Sequence, residues 1–337
     1  MPTNKIVVTN LGVLRQKYGA GFVGIQNGIA ALITADANRG LTTVLIGVDD
    51  SSAMTAAGGV AVTDPSNASQ NKAAIDVLYN CYSPDYIMIL GAVDVVPHQD
   101  LVDPISGDPD QTVPSDLPYA CLAGYGTDVS AFKNPTKVVG RLPDVTGAND
   151  PAYLVTVLGT AANYATNAAI TYQAFLGVSA GVWTGSTTLS LQAVFGTANG
   201  MKTVPPDTYT WAQSDLNAGS HFFNCHGNVN MPQYFGQPAD NSAAYPVAHD
   251  AAYLENKIKT GTVLAAECCY GAQLYDPVQA NVHQCIANQY LQGGAYGVFG
   301  STTIAYGPSN ANDQADLMCQ YFLKSLLTGA SLGRSAA

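Results

Sequence analysis

Short apolar runs without in/out alternation recur along this chain, with longer amphipathic stretches between them, and this order constrains the fold more than any other feature. KIVVTN at 5–10, TTVLIGV at 42–48, DYIMILG at 85–91 and TKVVGRLP at 136–143 read as strands of a first half. AGVWTG at 180–185, HFFNCHG at 221–227, TVLAAECC at 262–269 and AYGVFGS at 295–301 continue the series. Helical patterns cover 25–38, 69–81, 151–166 and about 312–328. A strand that is apolar on both faces needs cover on both, as in a parallel sheet packed between helices. The alternation therefore predicts an α/β protein with a mostly parallel sheet, its working residues at the carboxyl ends of strands. Turn chemistry in GAND before Pro151 sets a boundary near 150. The expected division is an N-terminal α/β subdomain over 1–150 and a second over 151–337. The acidic, Pro-rich stretch 97–118 reads as a long surface loop.

Composition narrows the function classes. Of 337 residues, 47% are hydrophobic and 11% charged, so the chain can bury a core and is not of the disordered class. A net charge of −11 repels phosphate backbones; nucleic acid is not an expected partner, and basic peptides are better suited. No run approaches the ~18 apolar residues of a membrane helix, so no membrane is expected either. The opening MPTNKIVVTNLG lacks the apolar core and cleavage site of a signal peptide. Seven cysteines, an odd count without regular spacing, argue against a disulfide framework and for a reducing compartment. The expected location is a bacterial cytoplasm, or outside the cell if a leader precedes this sequence. Cys268 and Cys269 are neighbours and make a poor pair for a tetrahedral metal site.

Two apolar runs end in reactive residues. One delivers Cys225, His226 and Gly227; the other delivers Glu267, Cys268, Cys269, Tyr270 and Gly271. Parallel strands would bring a His and a Cys to one rim, where a thiol acquires the base it needs and the His can later protonate a leaving amine. Gly227 lets the backbone approach a substrate carbonyl, and its N–H with that of Cys269 would form an oxyanion hole. The bland alternative is packing, since Cys is among the most buried residue types.

At these residues the chain resembles the caspase-like superfamily of cysteine peptidases, which includes caspases, legumains, clostripains and gingipains. The shared pattern is an apolar strand ending in His-Gly and a later one ending in a small or acidic residue before Cys, here FFNCHG and VLAAECCYG. The Cys-x-Gly register selects Cys269 as nucleophile; the other register, with Glu267 before Cys268, stays open. PDYIMILGAVDVVP (84–97), SDLPYACLAG (115–124), KVVGRLP (137–143) and GGAYGVFGSTTIAYG (293–307) are similar to gingipain segments in the same order. The resemblance implies a caspase-like sheet flanked by helices, preceded by a smaller α/β subdomain. It implies a cysteine endopeptidase acting on protein or peptide substrates through a His226–Cys269 dyad and a thioester, with cleavage after Arg or Lys. Alternatives are a catalytically silent caspase-like binding or scaffold module and a self-processing or peptide-ligating relative. An activator or partner protein fits any of these.

Gingipains carry an acidic partner of the catalytic His just before the Val-Gly-Arg segment, where this chain has Thr136 or Lys137. A His-orienting carboxylate is then missing or comes from elsewhere, such as Asp116 or Asp128. Glu267, Asp116 and Asp276 are the candidates for that acid or for one at the base of an S1 pocket, with Asp144, Asp240 and Asp250 placed by position only. Segment 228–250, following His226, reads as the substrate loop, with Asn228 and Tyr234 in it and Trp211 as a further wall. His221 reads as a solvated strand-edge residue and His249 as a surface residue. No cofactor is required, but calcium is implied by the resemblance, and the loop carrying Asp94, Asp100, Asp103, Asp108, Asp110 and Asp116 would supply oxygens. That loop lacks the EF-hand pattern, and a solvated acidic loop is its other reading.

Overall fold

Burial of KIVVT along its whole length puts it between two other strands, because only an interior strand covered on both faces loses all contact with water. In the computed structural model, which describes residues 3–337, this strand β1 (Lys5–Thr9) pairs in parallel with β2 (Thr43–Gly47) and β3 (Tyr86–Leu90). After the antiparallel pair β4 (Gln99–Val102) and β5 (Thr112–Ser115), β6 (Val139–Leu142) joins β3 and completes the order β2-β1-β3-β6. The stretch 97–118 is thus no structureless loop: its Leu101 and Val113 pack with Cys121 and Phe132.

The chain divides into one compact unit running to Asn163 and a second spanning Tyr164–Ala336. The boundary expected near 150 falls later because the helix Ala152–Ala162 packs on the helix Phe22–Asn38 of the first unit. Its Leu158 lies against Gly28, and Arg39 donates to the Ala161 carbonyl.

The second unit is a five-stranded, wholly parallel sheet in the order β13-β12-β9-β7-β8, built from β7 (Phe175–Ala180), β8 (Lys202–Val204), β9 (Ser220–Asn224), β12 (Val263–Glu267) and β13 (Gly297–Gly300). A small antiparallel pair, β10 (Gln233–Phe235) and β11 (Val247–Asp250), lies in the crossover from β9 to β12. Adjacent side chains point to opposite faces. Phe222, Val263 and Ala265 therefore enter one core with Phe322 and Leu323 of the helix Gln314–Leu327. Phe223, Leu264, Ala266 and Cys268 enter the other with Ile286 and Tyr290 of the helix Ile286–Gln292. Each buried Phe contributes roughly 1.5–3 kcal/mol relative to an exposed one.

One predicted strand is displaced. AGVWTG leaves the sheet: β7 ends at Ala180, and after a single 3-10 turn the helix Thr184–Phe195 begins. That helix buries Ser186, Thr187 and Ser190 along with its apolar residues, so its sequence showed no apolar stripe to mark it.

Candidate active site

The central strands β9 and β12 are neighbours, parallel, and paired Asn224 to Glu267 at their ends. His226 and Cys269 each lie two residues beyond that pair, so the sheet delivers both to the same rim. The two chain ends almost touch: an ideal Cβ on Gly227 would sit 1.8 Å from the Cys269 carbonyl oxygen. Only a residue without a side chain allows that approach.

The turn after β12 is clamped from several sides. Tyr270 has φ +54°, a left-handed conformation uncommon outside glycine. Its N–H donates to the Thr303 carbonyl at 2.7 Å, and the Ala272 N–H donates to Ser301 at 2.8 Å. The Tyr234 hydroxyl donates to the Gly271 carbonyl at 2.6 Å. These bonds place Cys268 and Cys269 in opposite environments. Cys268 is 1% exposed, packs in the sheet core with Cys225, and burial pushes its thiol well above the ordinary range. Cys269 is partly exposed and its Sγ accepts the Ala305 N–H at 3.5 Å.

His226 is held by its backbone and its ring. Its N–H donates to the Phe235 carbonyl and its carbonyl accepts the Phe235 N–H, both at 2.8 Å, closing the loop 227–232 that leads into β10. The imidazole lies against Trp183, with ring centroids 4.3 Å apart, and meets the edge of Tyr245 at 5.1 Å. Its Nε2 bonds the side-chain oxygen of Gln237 at 2.8 Å. Burial lowers the pKa of His226 below the usual histidine value, with the Gln237 bond opposing the shift.

Glu267 is buried at the end of β12. It shares the face of Val263 and Ala265 and hydrogen-bonds Asp316 of the helix Gln314–Leu327. Burial, then the Asp316 charge and the hydrogen bond to it, raise the Glu267 pKa to about 10 from 4.5. Glu267 therefore carries the proton that bridges the pair. A proton held in the folded state stabilises fully below pH 4.5, and that stabilisation is lost as the pH rises toward about 10. Glu267→Gln, which keeps the shape of the protonated acid, is expected to flatten this alkaline loss. Melting temperatures of the variant and the native protein should diverge increasingly from pH 5 to pH 9, in the variant's favour. Parallel curves would mean that Glu267 is ionised in the fold.

Several residues named from sequence are placed elsewhere. Trp211 and Tyr234, at 5% and 3% exposed, are core residues, Trp211 reaching the interior from a loop and Tyr234 from the inward face of β10; of the three substrate-loop candidates, Asn228 alone is exposed. His221 and His249 are fully buried, not solvated: both bond the Tyr290 hydroxyl, at 2.7 and 2.9 Å, and His249 accepts the Trp211 N–H at 3.2 Å. Burial keeps both neutral, His221 down to about 3. Asp116 forms a two-pronged ion pair with Arg141. Asp128, Asp240 and Asp276 accept backbone N–H groups of the turns they begin, Asp276 from Val278 and Gln279.

Aspartates of the acidic segment already have partners within the protein. Within the acidic segment Asp94 pairs with Lys17, Asp103 accepts the Ile105 N–H, Asp108 accepts the Asp110 N–H, and Asp116 is taken by Arg141. Among the described residues no group of three or more His, Cys, Asp or Glu side chains converges to hold a metal.

Gln237 and Tyr245 are site neighbours that the sequence did not single out. Gln237 and Tyr245 fall inside the predicted substrate loop 228–250, but an uncharged Gln carries no signal of its own.

The family model for peptidase family C25 matches residues 18–336. The solved structure of a protease superposes with a TM-score of 0.55 over 91% of this chain at 16% identity. The chain spans 60% of the length of that protein, and at this identity the likeness bears on the fold alone. No curated protein matches the sequence. No helix among the described residues is long and apolar enough to cross a membrane.

Proposed function

This chain belongs to peptidase family C25, the gingipain family of cysteine peptidases, and we propose that it hydrolyses peptide bonds with Cys269 as nucleophile and His226 as proton carrier. The observation that carries this reading is the matched register of β9 and β12, which presents His226 and Cys269 at one level with the Gly227 backbone against Cys269. In the proposed sequence the Cys269 thiol gives its proton to His226 as Sγ bonds the scissile carbonyl carbon. The oxygen gains the electron pair and is held by the N–H groups of Gly227 and Cys269. The C–N bond breaks, and the leaving amine takes the proton from His226. Water then attacks the thioester and passes a proton to the imidazole, which returns it to the departing sulfur. His226 with a lowered pKa is neutral near pH 7, the state in which it can accept the first proton.

A preference for Arg or Lys at P1 rests on the family resemblance; of the acids named for it, Glu267, Asp116 and Asp276 are engaged by Asp316, Arg141 and a helix N-terminus. The test is a peptide library varied at P1, incubated with the native chain and with Cys269→Ala. Cleavage after basic residues that vanishes in the variant supports the whole reading. Cleavage after another residue keeps the chemistry and discards the P1 preference. Absence of cleavage, with a Cys269 that resists alkylation, would favour a silent binding module.

A further inference from the structure

We propose that Gln237 is the positioning residue of His226: its side-chain carbonyl holds the imidazole as the Nε2–H tautomer and leaves the lone pair on Nδ1. The inference rests on the reading of His226 as the proton carrier and concerns how the fold prepares it without a carboxylate.

The orientation of the Gln237 amide follows from its neighbours. Its Nε2 lies 3.3 Å from the Ser242 backbone carbonyl and 3.0 Å from Asn241 Oδ1. A backbone carbonyl only accepts, so the NH₂ end of Gln237 must face Ser242. The oxygen end is then the one at 2.8 Å from His226 Nε2. That oxygen can only accept, so Nε2 carries the hydrogen and Nδ1 is left as the base.

The rest of the loop keeps Gln237 in place. Its N–H donates to the Val204 carbonyl at the end of β8 at 3.0 Å, and the preceding Gly236 N–H donates to Pro246 at 2.8 Å. A Cβ on Gly236 would lie 2.1 Å from the Val204 carbonyl oxygen, so the strand end and the loop are in backbone contact. Gln237 itself is 6% exposed, which removes water as a competing partner. The ring is packed by Trp183 and Tyr245. Of the titratable groups around it, Tyr245 lies on the loop and Cys269 at the neighbouring strand end; among the described residues no charged side chain acts on the imidazole. A neutral amide thus does the orienting, and it adds none of the imidazolium stabilisation that a carboxylate would.

The experiment compares the native chain, Gln237→Met, Gln237→Glu and His226→Ala, all carrying Cys81→Ser because Cys81 is an exposed thiol. Two quantities are read: the ¹⁵N shifts of the His226 ring, and the pH dependence of iodoacetamide alkylation at Cys269, located by peptide mass spectrometry. The native ring is expected as the Nε2–H tautomer. Gln237→Met, which keeps length but loses the acceptor, is expected to mix the tautomers and to slow Cys269 alkylation by the share of competent tautomer lost, about twofold for an even mixture. Gln237→Glu is expected to restore the tautomer and move the acid limb up by roughly one to three pH units, as a carboxylate partner does. If both Gln237 variants keep the native tautomer and profile while His226→Ala alters alkylation, Gln237 is a loop residue only and the inference falls. If His226→Ala leaves alkylation unchanged, the dyad reading falls first and this one with it. Should the Met variant fail to fold, the Glu variant alone decides through the direction of its pH shift.

Discussion

Cys269→Ala is expected to lower peptide cleavage by at least ~10³-fold, and His226→Ala to fall to a similar floor, because nucleophile and proton carrier act as one unit. The two strands that deliver them are paired residue for residue, so neither group has a substitute at the same level of the rim. Cys268→Ala provides the contrast. Its thiol is sealed in the core beside Cys225 and bonds the Phe223 carbonyl at 3.7 Å, so its removal is a packing change costing about 1 kcal/mol with turnover largely retained. Rates on one substrate, with melting temperatures alongside, check all three variants. An active Cys269→Ala with an inactive, folded Cys268→Ala would reverse the roles of the two cysteines.

Gly227→Ala is expected to reduce activity by at least ~10²-fold, the scale attached to misplacing catalytic groups by about 1 Å. The added methyl would have to occupy a point 1.8 Å from the Cys269 carbonyl oxygen and 3.4 Å from its nitrogen. Both obstacles are backbone, and the turn they belong to is tied to Thr303 and Ser301, so it cannot yield by a side-chain rotation. The ends of β9 and β12 must separate, which moves His226 away from Cys269 and disturbs both N–H groups assigned to the oxyanion. The expected signature is a fall in kcat and in the Cys269 alkylation rate together, in a protein whose far-ultraviolet circular dichroism is unchanged. A variant with native kcat would remove Gly227 from the site.

Most strands were legible in the sequence. KIVVT, YIMIL, SHFFN and VLAAE are apolar on both faces because both faces are covered, and such runs stand out against any flanking turn. His226 and Cys269 drew attention for the same reason, since each ends such a run next to or near a glycine. The helix Thr184–Phe195 was not: it buries Ser186, Thr187 and Ser190, and hydroxyl residues that bond within a core look like surface in a sequence. Nor was the burial of His221 and His249, which depends on a tyrosine at 290 reaching both rings from another element.

The sequence alone determined the parallel α/β class, the two reactive strand ends and the family pattern they carry, because these depend on local runs and short spacing. Only the tertiary structure decided which cysteine is sealed and which is open, since alternation along β12 has no sign until the two faces acquire partners. Only it decided that Glu267 shares a proton with Asp316 and that Asp116 is spent on Arg141, because a carboxylate's role depends on what packs opposite it. And only it put Gln237 on His226: eleven positions apart in the chain, the two meet because β10 pairs back onto the His226 backbone and the end of β8 holds the following turn.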